Sequence, residues 1–349
     1  MSPAISLFLD FLRVFAAVGV VLVHSGTTQF APKWSIDPNA GHHYVVIFFV
    51  LSGYVIAHGS YSRQQSAKEY AIARIARLYS VLLPALLVTA VLLSIGRPIN
   101  PSFYAAFDRG HEPVRFALSL GFINEIWWVS AAPPTNLPLW SLSYEFWYYC
   151  LFGVWVYART RLLATILSLG VAVVAGPKIL LLLPVWLAGV VAYRIAARSR
   201  VNGNVAVLGL ISTTTLATLW FIMDIAFPAR IGHPPYYFSN AYASDFVLGA
   251  LLAGMIFFFH HASGGWRFPQ CFELPIRSGA KATFSLYLIH YPLLVFIGAT
   301  LPYNHWDRVQ SGLLLLGILA LALLLSRFTE SWHKPLAAWL HRRLIVAAP

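Results

Sequence analysis

Ten windows of this chain are apolar enough and long enough to cross a bilayer, at approximately residues 5–25, 43–60, 78–96, 137–157, 162–177, 179–196, 205–227, 242–260, 282–301 and 309–327. Backbone polar groups inside hydrocarbon must be satisfied within the segment itself, so runs of this length are read as helices. The composition agrees: 59% of residues are hydrophobic and 10% charged, where soluble domains carry about 25% charged residues. The expected fold is all-α, a polytopic transmembrane bundle of about ten helices. Residues 1–349 are expected to form one membrane domain with a short tail from 328 to 349, and no soluble domain at either end. Residues 115–130 are a weaker window, interrupted by Asn124 and Glu125, and are expected to be interfacial or re-entrant. Gly176-Pro177 supplies a turn between two nearly continuous windows.

The first window is unusual for what it carries. Leu9-Asp10-Phe11-Leu12-Arg13 opens it and Val23-His24-Ser25 closes it. Arg13 and His24 are eleven residues apart, about 1100° of helix, so they return to within roughly 20° of one face and stand roughly 16 Å apart along the axis. Asp10 is placed to pair with Arg13 at i, i+3. Ionisable side chains within a span are functional candidates by default, although Arg13 snorkelling at one membrane edge and His24 marking the other is the simpler alternative.

Further along, Phe48-Phe49-Val50-Leu51-Ser52-Gly53-Tyr54 sets a small pair amid bulky residues, which admits either a neighbouring helix backbone or a ligand; in the second case Ser52 is a cofactor-side candidate. Arg74 and Arg77 share a face at i, i+3 and suit a phosphate or pyrophosphate, or else anionic lipid. In Leu137-Pro138-Leu139-Trp140-Ser141-Leu142-Ser143-Tyr144-Glu145, the carboxylate of Glu145 falls about two turns into a span, where it needs a partner or a proton. Ser285-Leu286-Tyr287-Leu288-Ile289-His290-Tyr291-Pro292 places His290 just before a proline that frees the carbonyl of Leu288; a histidine satisfied within the bundle is the alternative to a site residue. Glu330, at the start of the tail, is positioned to brace the arginines at that end.

Charge distribution sets the orientation. With the N-terminus in the cytoplasm, sixteen Lys and Arg fall on inner loops and tail, Arg63, Arg74 and Arg77 among them. Seven fall outside: Lys33, Arg97, Arg109, Arg115, Lys178, Arg230 and Arg308. This obeys the positive-inside rule and puts both termini in the cytoplasm. The net charge of +12 is therefore a topology signal, and no nucleic-acid partner is needed to explain it. The first apolar segment carries Arg13 and lacks a basic leader, so it is expected to be retained. The long outer stretch 97–136 is rich in aromatics and is expected to be an ordered cap, or in part an interface belt at Trp127 and Trp128. Cys150 and Cys271 suggest neither a disulfide nor a zinc site, and adjacent His42-His43 and His260-His261 point to different sides of a helix, so no metal is assigned.

Taken together these motifs resemble the acyltransferase-3 family of integral membrane O-acyltransferases, over essentially the whole chain. The resemblance rests on Leu9-Asp10-x-Leu12-Arg13 with Arg13-x10-His24, Phe48-Phe49-x-Leu51-Ser52-Gly53, Arg74-x-x-Arg77, Trp140-Ser141-Leu142-x-x-Glu145, Ser285-Leu286-Tyr287-Leu288-x-His290-x-Pro292 and Glu330. Where relatives often carry an acidic residue just before Phe-Phe, this chain has Val46-Ile47. The resemblance implies a multi-pass enzyme of the inner membrane. It implies transfer of an acyl group, acetyl first of all, from cytoplasmic acyl-CoA to a hydroxyl of a surface glycan or lipid-linked saccharide at the outer face. In that chemistry His24 is the expected base, Arg13 the contact for the acyl-CoA arm, Arg74 and Arg77 the phosphate contacts, and Glu145 the group that orients His24 or the acceptor. Asp10, Trp140, Tyr287, His290 and Glu330 are acceptor-side or structural candidates. Two rivals share the buried charges: a transporter, and a glycosyltransferase or polymerase using lipid-linked sugar. The latter ordinarily wants outer-face carboxylates, whereas Asp37, Asp108, Glu112, Glu125 and Asp307 are scattered.

Overall fold

A computed structural model describes residues 1–32, 40–62, 65–225 and 233–343; Lys33, Asp37, Arg63 and Arg230 lie outside the described residues, as do 226–227 of the seventh window and 344–349 of the tail. Among the described residues the regular structure is helical: α1 (Pro3–Thr27), α2 (Ala40–Ser62), α3 (Ala67–Ile99), α4 (Pro101–Ala105), α5 (Glu112–Leu120), α6 (Trp140–Tyr157), α7 (Arg161–Ala175), α8 (Pro177–Ala196), α9 (Gly203–Met223), α10 (His233–Tyr236), α11 (Tyr242–Ala262), α12 (Gln270–Thr300), α13 (Arg308–Thr329) and α14 (His333–His341). Each of the ten windows contains a helix in its described part, but the count of ten spans is not carried over. Among the described residues, eight helical stretches are long and apolar enough to cross a membrane: α1, α2, α3, α8, α9, α11, α12, and 308–341, which contains α13 and α14. The other two fall short for different reasons. α7 is apolar but only 15 residues long, and the 18 residues of α6 include Ser141, Ser143, Glu145 and several tyrosines that lower its hydropathy. Residues 115–130 form the end of α5 and then irregular backbone, not a span.

The chain divides into two compact units. One comprises Met1–Gly19, Asn39–Gln64 and Pro177–Ala280; the other comprises Val20–Pro38, Gln65–Gly176 and Lys281–Pro349.

In the first unit α2 packs on α8 and α11, and α11 on α9 and α8. The small pair of α2 explains how closely. A Cβ on Gly53 would run into the carbonyl of Trp186 in α8, and one on Gly189 of α8 into the carbonyl of Val50 in α2, so each glycine admits the other helix's backbone. The adjacent Ser52 hydroxyl accepts the Trp186 indole N–H at 3.1 Å, and Trp186 is fully buried. At the N-terminal end of α2, each of the neighbouring histidines meets its own carboxylate on another helix: His42 Nε2 lies 2.9 Å from Asp245 at the start of α11, and His43 Nε2 lies 3.5 Å from Asp224 at the end of α9.

In the second unit α3 is the central element, touching α4, α5, α6, α13 and α14. It begins in a capping box: Ser66 Oγ accepts the Glu69 N–H at 3.2 Å, and Glu69 Oε2 accepts the Ser66 N–H at 2.8 Å. The long connection after α3 is pinned by Arg115, which donates to the carbonyls of Gly110 at 2.8 Å, Arg109 at 2.9 Å and Ala132 at 3.3 Å. An ion pair joins Arg97 to Glu112. Burial, then the charge of neighbouring Arg109, pulls the Arg115 pKa below its ordinary value. Gly176 ends α7 at φ +82° against the backbone of Trp127, where a side chain has neither the conformation nor the room.

The proline in α12 frees the carbonyl that the sequence expects, but the break expected there does not occur, since α12 runs on continuously through Pro292; the structure adds what pairs that carbonyl. Pro292 has no N–H for the Leu288 carbonyl, which instead accepts from Asn136 Nδ2 at 2.9 Å; the second amide hydrogen of Asn136 goes to Thr89 Oγ1, also at 2.9 Å. Asn136 precedes α6 and is fully buried, so one side chain joins the freed carbonyl of α12 to α3. Asn136→Leu is expected to strand the buried carbonyl of Leu288 and cost about 1–3 kcal/mol. Thermal unfolding in detergent micelles measures this as a lowered midpoint; an unchanged midpoint would mean that the freed carbonyl does not depend on Asn136.

Candidate active site

Two histidines 266 residues apart meet in the second unit. His24 Nδ1, near the C-terminal end of α1, lies 2.8 Å from His290 Nε2 in the middle of α12. The two rings are nearly coplanar, 8° apart, and the Tyr291 ring stands edge-on to His24 with centroids 5.0 Å apart. His290 has no exposed surface, whereas His24 is half-buried. The carbonyl of His24 accepts from the Thr28 N–H at 2.9 Å and the Thr28 hydroxyl at 2.6 Å, which closes the helix end that carries the ring.

The hydrogen bonds assign the tautomers. His290 Nδ1 lies 2.9 Å from the Leu286 carbonyl, and a carbonyl only accepts, so Nδ1 carries the hydrogen. In neutral His290 this leaves Nε2 as a lone pair that accepts from His24 Nδ1–H. The basic lone pair of His24 is then on Nε2, the nitrogen turned away from the pair. The arrangement is a relay: carbonyl, orienting histidine, basic histidine.

The start of α6 lies alongside α12. Tyr287 is buried, with its hydroxyl 2.8 Å from Ser141 Oγ and 3.3 Å from the Pro138 carbonyl, and its ring centroid is 6.2 Å from that of His290. Trp140 is buried, its ring edge-on to Tyr144. Glu145 is half-buried and accepts the hydroxyl of Tyr149, one turn further along α6.

The two arginines of α3 look equivalent in sequence and are not equivalent in the fold. Arg77 forms an ion pair with Glu330 and lies over the Phe284 ring at 5.0 Å. Glu330 in turn accepts the N–H and the hydroxyl of Ser285, each at 3.2 Å, and Ser285 Oγ is 2.6 Å from Thr329 Oγ1. Glu330 thus braces Arg77, as expected, and also ties α13 to α12. Arg74 instead lies 5.9 Å from the ring centroids of both Tyr70 and Tyr149, and no carboxylate pairs with it among the described residues.

The other sequence-derived residues belong to the first unit. Asp10 accepts from Arg13 at 3.3 Å through Oδ1 and from Arg277 at 3.3 Å through Oδ2. Arg277 also reaches Glu273 at 2.7 Å and Ser6 at 3.3 Å. Nothing local in the sequence shows that α12 returns Arg277 to α1. The Asp10–Arg13 contact itself follows from the i, i+3 spacing. Ser52 takes its place in the α2–α8 contact described above.

A family model described as an acyltransferase domain, that of the acyltransferase-3 family, matches residues 6–327. No curated protein and no solved structure matches the chain. The family match spans nearly the whole length and every motif named above except Glu330, and the chain therefore belongs to the acyltransferase-3 family and is a multi-pass membrane acyltransferase.

Proposed function

We propose that the protein moves an acyl group, acetyl first of all, from cytoplasmic acyl-CoA to a hydroxyl of a surface glycan or lipid-linked saccharide at the outer face of the inner membrane, both termini being cytoplasmic. The observation that carries this reading is the relay from Leu286 through His290 to His24, which leaves the neutral His24 imidazole one defined basic nitrogen, Nε2. Such a group suits an alcohol acceptor, whose proton must be removed as it attacks.

In the proposed step, the acceptor oxygen attacks the thioester carbonyl as His24 Nε2 takes the hydroxyl proton. The C–O bond forms and the carbonyl π pair moves onto oxygen. The tetrahedral centre then collapses, the C–S bond breaks, and the CoA sulfur leaves with the proton held by His24. Acyl ester and CoA thiol are the products, and His24 returns neutral. His290 accepts from His24 Nδ1–H throughout and steadies the imidazolium in between. A route through acyl-His24 is the alternative within the same site, and acid quenching followed by mass spectrometry of the α1 peptide separates the two. Glu145, which would orient His24 or the acceptor hydroxyl, and Arg13, which would contact the acyl-CoA arm, keep the roles that their motifs imply, and the guanidinium of Arg74 holds donor phosphate.

The test is CoA-thiol release by the purified protein supplied with acetyl-CoA and acceptor. Arg74→Ala is expected to raise the KM for acetyl-CoA by about 10–100-fold, the worth of a charge-assisted hydrogen bond, with the thermal midpoint unmoved. Arg77→Ala is expected to lower the midpoint as well, because it leaves Glu330 without its cation. An unchanged KM in both variants would remove the α3 arginines from the donor site. Dependence of the product on lipid-linked sugar alone would favour a glycosyltransferase.

A further inference from the structure

We propose that Tyr157, the last residue of α6, supplies a second donor beside Arg74 and that the Tyr157 hydroxyl and the Arg74 Nε–H together seat a phosphate oxygen of the acyl-CoA donor. The proposal rests on acyl-CoA being the donor, and it adds a residue that lies in no motif of the chain.

Both side chains lie against one ring. The Arg74 guanidinium carbon is 5.9 Å from the Tyr70 centroid and the Tyr157 centroid is 5.2 Å from it. That ring is held rigidly. The Tyr70 hydroxyl donates to the Tyr149 carbonyl at 3.1 Å. Its edge also rests over Gly153, where an added Cβ would come within 2.7 Å of it. Tyr149, the other ring beneath Arg74, is fixed through its own hydroxyl by Glu145. The N-terminal part of α3 and the C-terminal end of α6 therefore hold Arg74 and Tyr157 on a preformed aromatic platform.

On that platform Arg74 Nε and the Tyr157 hydroxyl oxygen are both shut off from solvent and both lack a hydrogen-bond partner. Buried polar atoms are ordinarily paired, and an unmet donor costs stability. Two unmet donors on one platform, one of them cationic with no paired carboxylate among the described residues, call for an anionic acceptor. A phosphate oxygen meets the requirement: it only accepts, it carries charge, and it takes several hydrogen bonds at once. Arg77, one turn away, is already committed to Glu330, so the seat is built from Arg74 and Tyr157 and not from the two arginines alone.

The experiment is isothermal titration of CoA into the full-length protein in non-ionic detergent, with ligand-free thermal unfolding alongside. Tyr157→Phe removes only the unpartnered hydroxyl, so its ligand-free midpoint is expected to match or exceed that of the unaltered protein. Its CoA affinity is expected to fall about tenfold, the effect of one hydrogen bond to a charged group. Arg74→Lys keeps the charge but loses Nε. Combined with Tyr157→Phe, it is expected to weaken binding by less than the product of the two single effects, because both donors serve one phosphate. Undiminished CoA affinity in Tyr157→Phe overturns the seat, as it would if a lipid phosphate or an inorganic phosphate were the true occupant. A lowered ligand-free midpoint with unchanged affinity overturns it in favour of a packing role. Failure of the unaltered protein to bind CoA overturns the donor reading and the seat together, whereas CoA binding that ignores Tyr157 overturns the seat alone.

Discussion

His24→Ala is expected to reduce acyl transfer by about 10²–10⁴-fold, the range over which a positioned general base contributes, while the protein still inserts and folds. The substitution removes no apolar span, and the α1 helix end is closed by Thr28 through the backbone carbonyl of residue 24, which alanine keeps. His290→Phe preserves a ring in the fully buried position but removes both nitrogens. His24 then loses the acceptor that selects its tautomer, and the rate is expected to fall about 10–100-fold, as when other histidines lose an orienting partner. The double variant should be no slower than His24→Ala alone, because the two act as one unit. CoA-thiol release with saturating acetyl-CoA measures all three. Strict multiplication of the two single effects would show that His290 acts apart from His24.

The second large effect is on the fold. Gly53→Val and Gly189→Val are each expected to abolish correctly folded protein or to destabilise it by about 3 kcal/mol or more, the upper end of what overpacking costs. The reason is the nature of the atom in the way. At Gly53 it is the carbonyl of Trp186, and at Gly189 the carbonyl of Val50. Neither is a side chain that can swing aside, so α2 and α8 must separate, and the buried Trp186 loses its contact with Ser52. Gly59, further along α2, has open space where a Cβ would stand, so Gly59→Ala is the control and should leave the protein folded. Size-exclusion profiles and thermal midpoints in detergent distinguish them. Wild-type behaviour of Gly53→Val would mean that α2 and α8 do not pack through these backbones.

The helices were the most readable part of this chain, because a span must satisfy its own backbone and so declares itself by length and apolarity alone. α6 shows where that signal weakens. The residues that earn attention there, Ser141, Ser143 and Glu145, are the ones that take it below the hydropathy of an independent span. The site was readable as separate parts. His24 and His290 each stand out as ionisable groups in apolar runs, yet their hydrogen bond depends on α1 meeting α12 and has no local trace. Pro292 reveals that the Leu288 carbonyl is freed, whereas Asn136, which accepts the task of pairing it, looks like an ordinary loop residue. Gly53 signals a close approach without naming Gly189. Arg74 and Arg77 are alike by spacing, and only the ion pair with Glu330 tells them apart. Tyr157 carries no signal in sequence, since it is one of several tyrosines in α6 and its hydroxyl is conspicuous only for being buried without a partner.

Acyl transfer is measured most directly by following the acyl group itself. Purified protein in proteoliposomes is given acetyl-CoA labelled at the acetyl carbonyl together with surface glycan from the native cell, and mass spectrometry follows the label while CoA thiol is titrated. Labelled ester is expected on the glycan in step with thiol release, with loss of both in His24→Ala. Label that stays on CoA while an unmodified substrate crosses the membrane, or labelling that persists in folded His24→Ala, would contradict this mechanism.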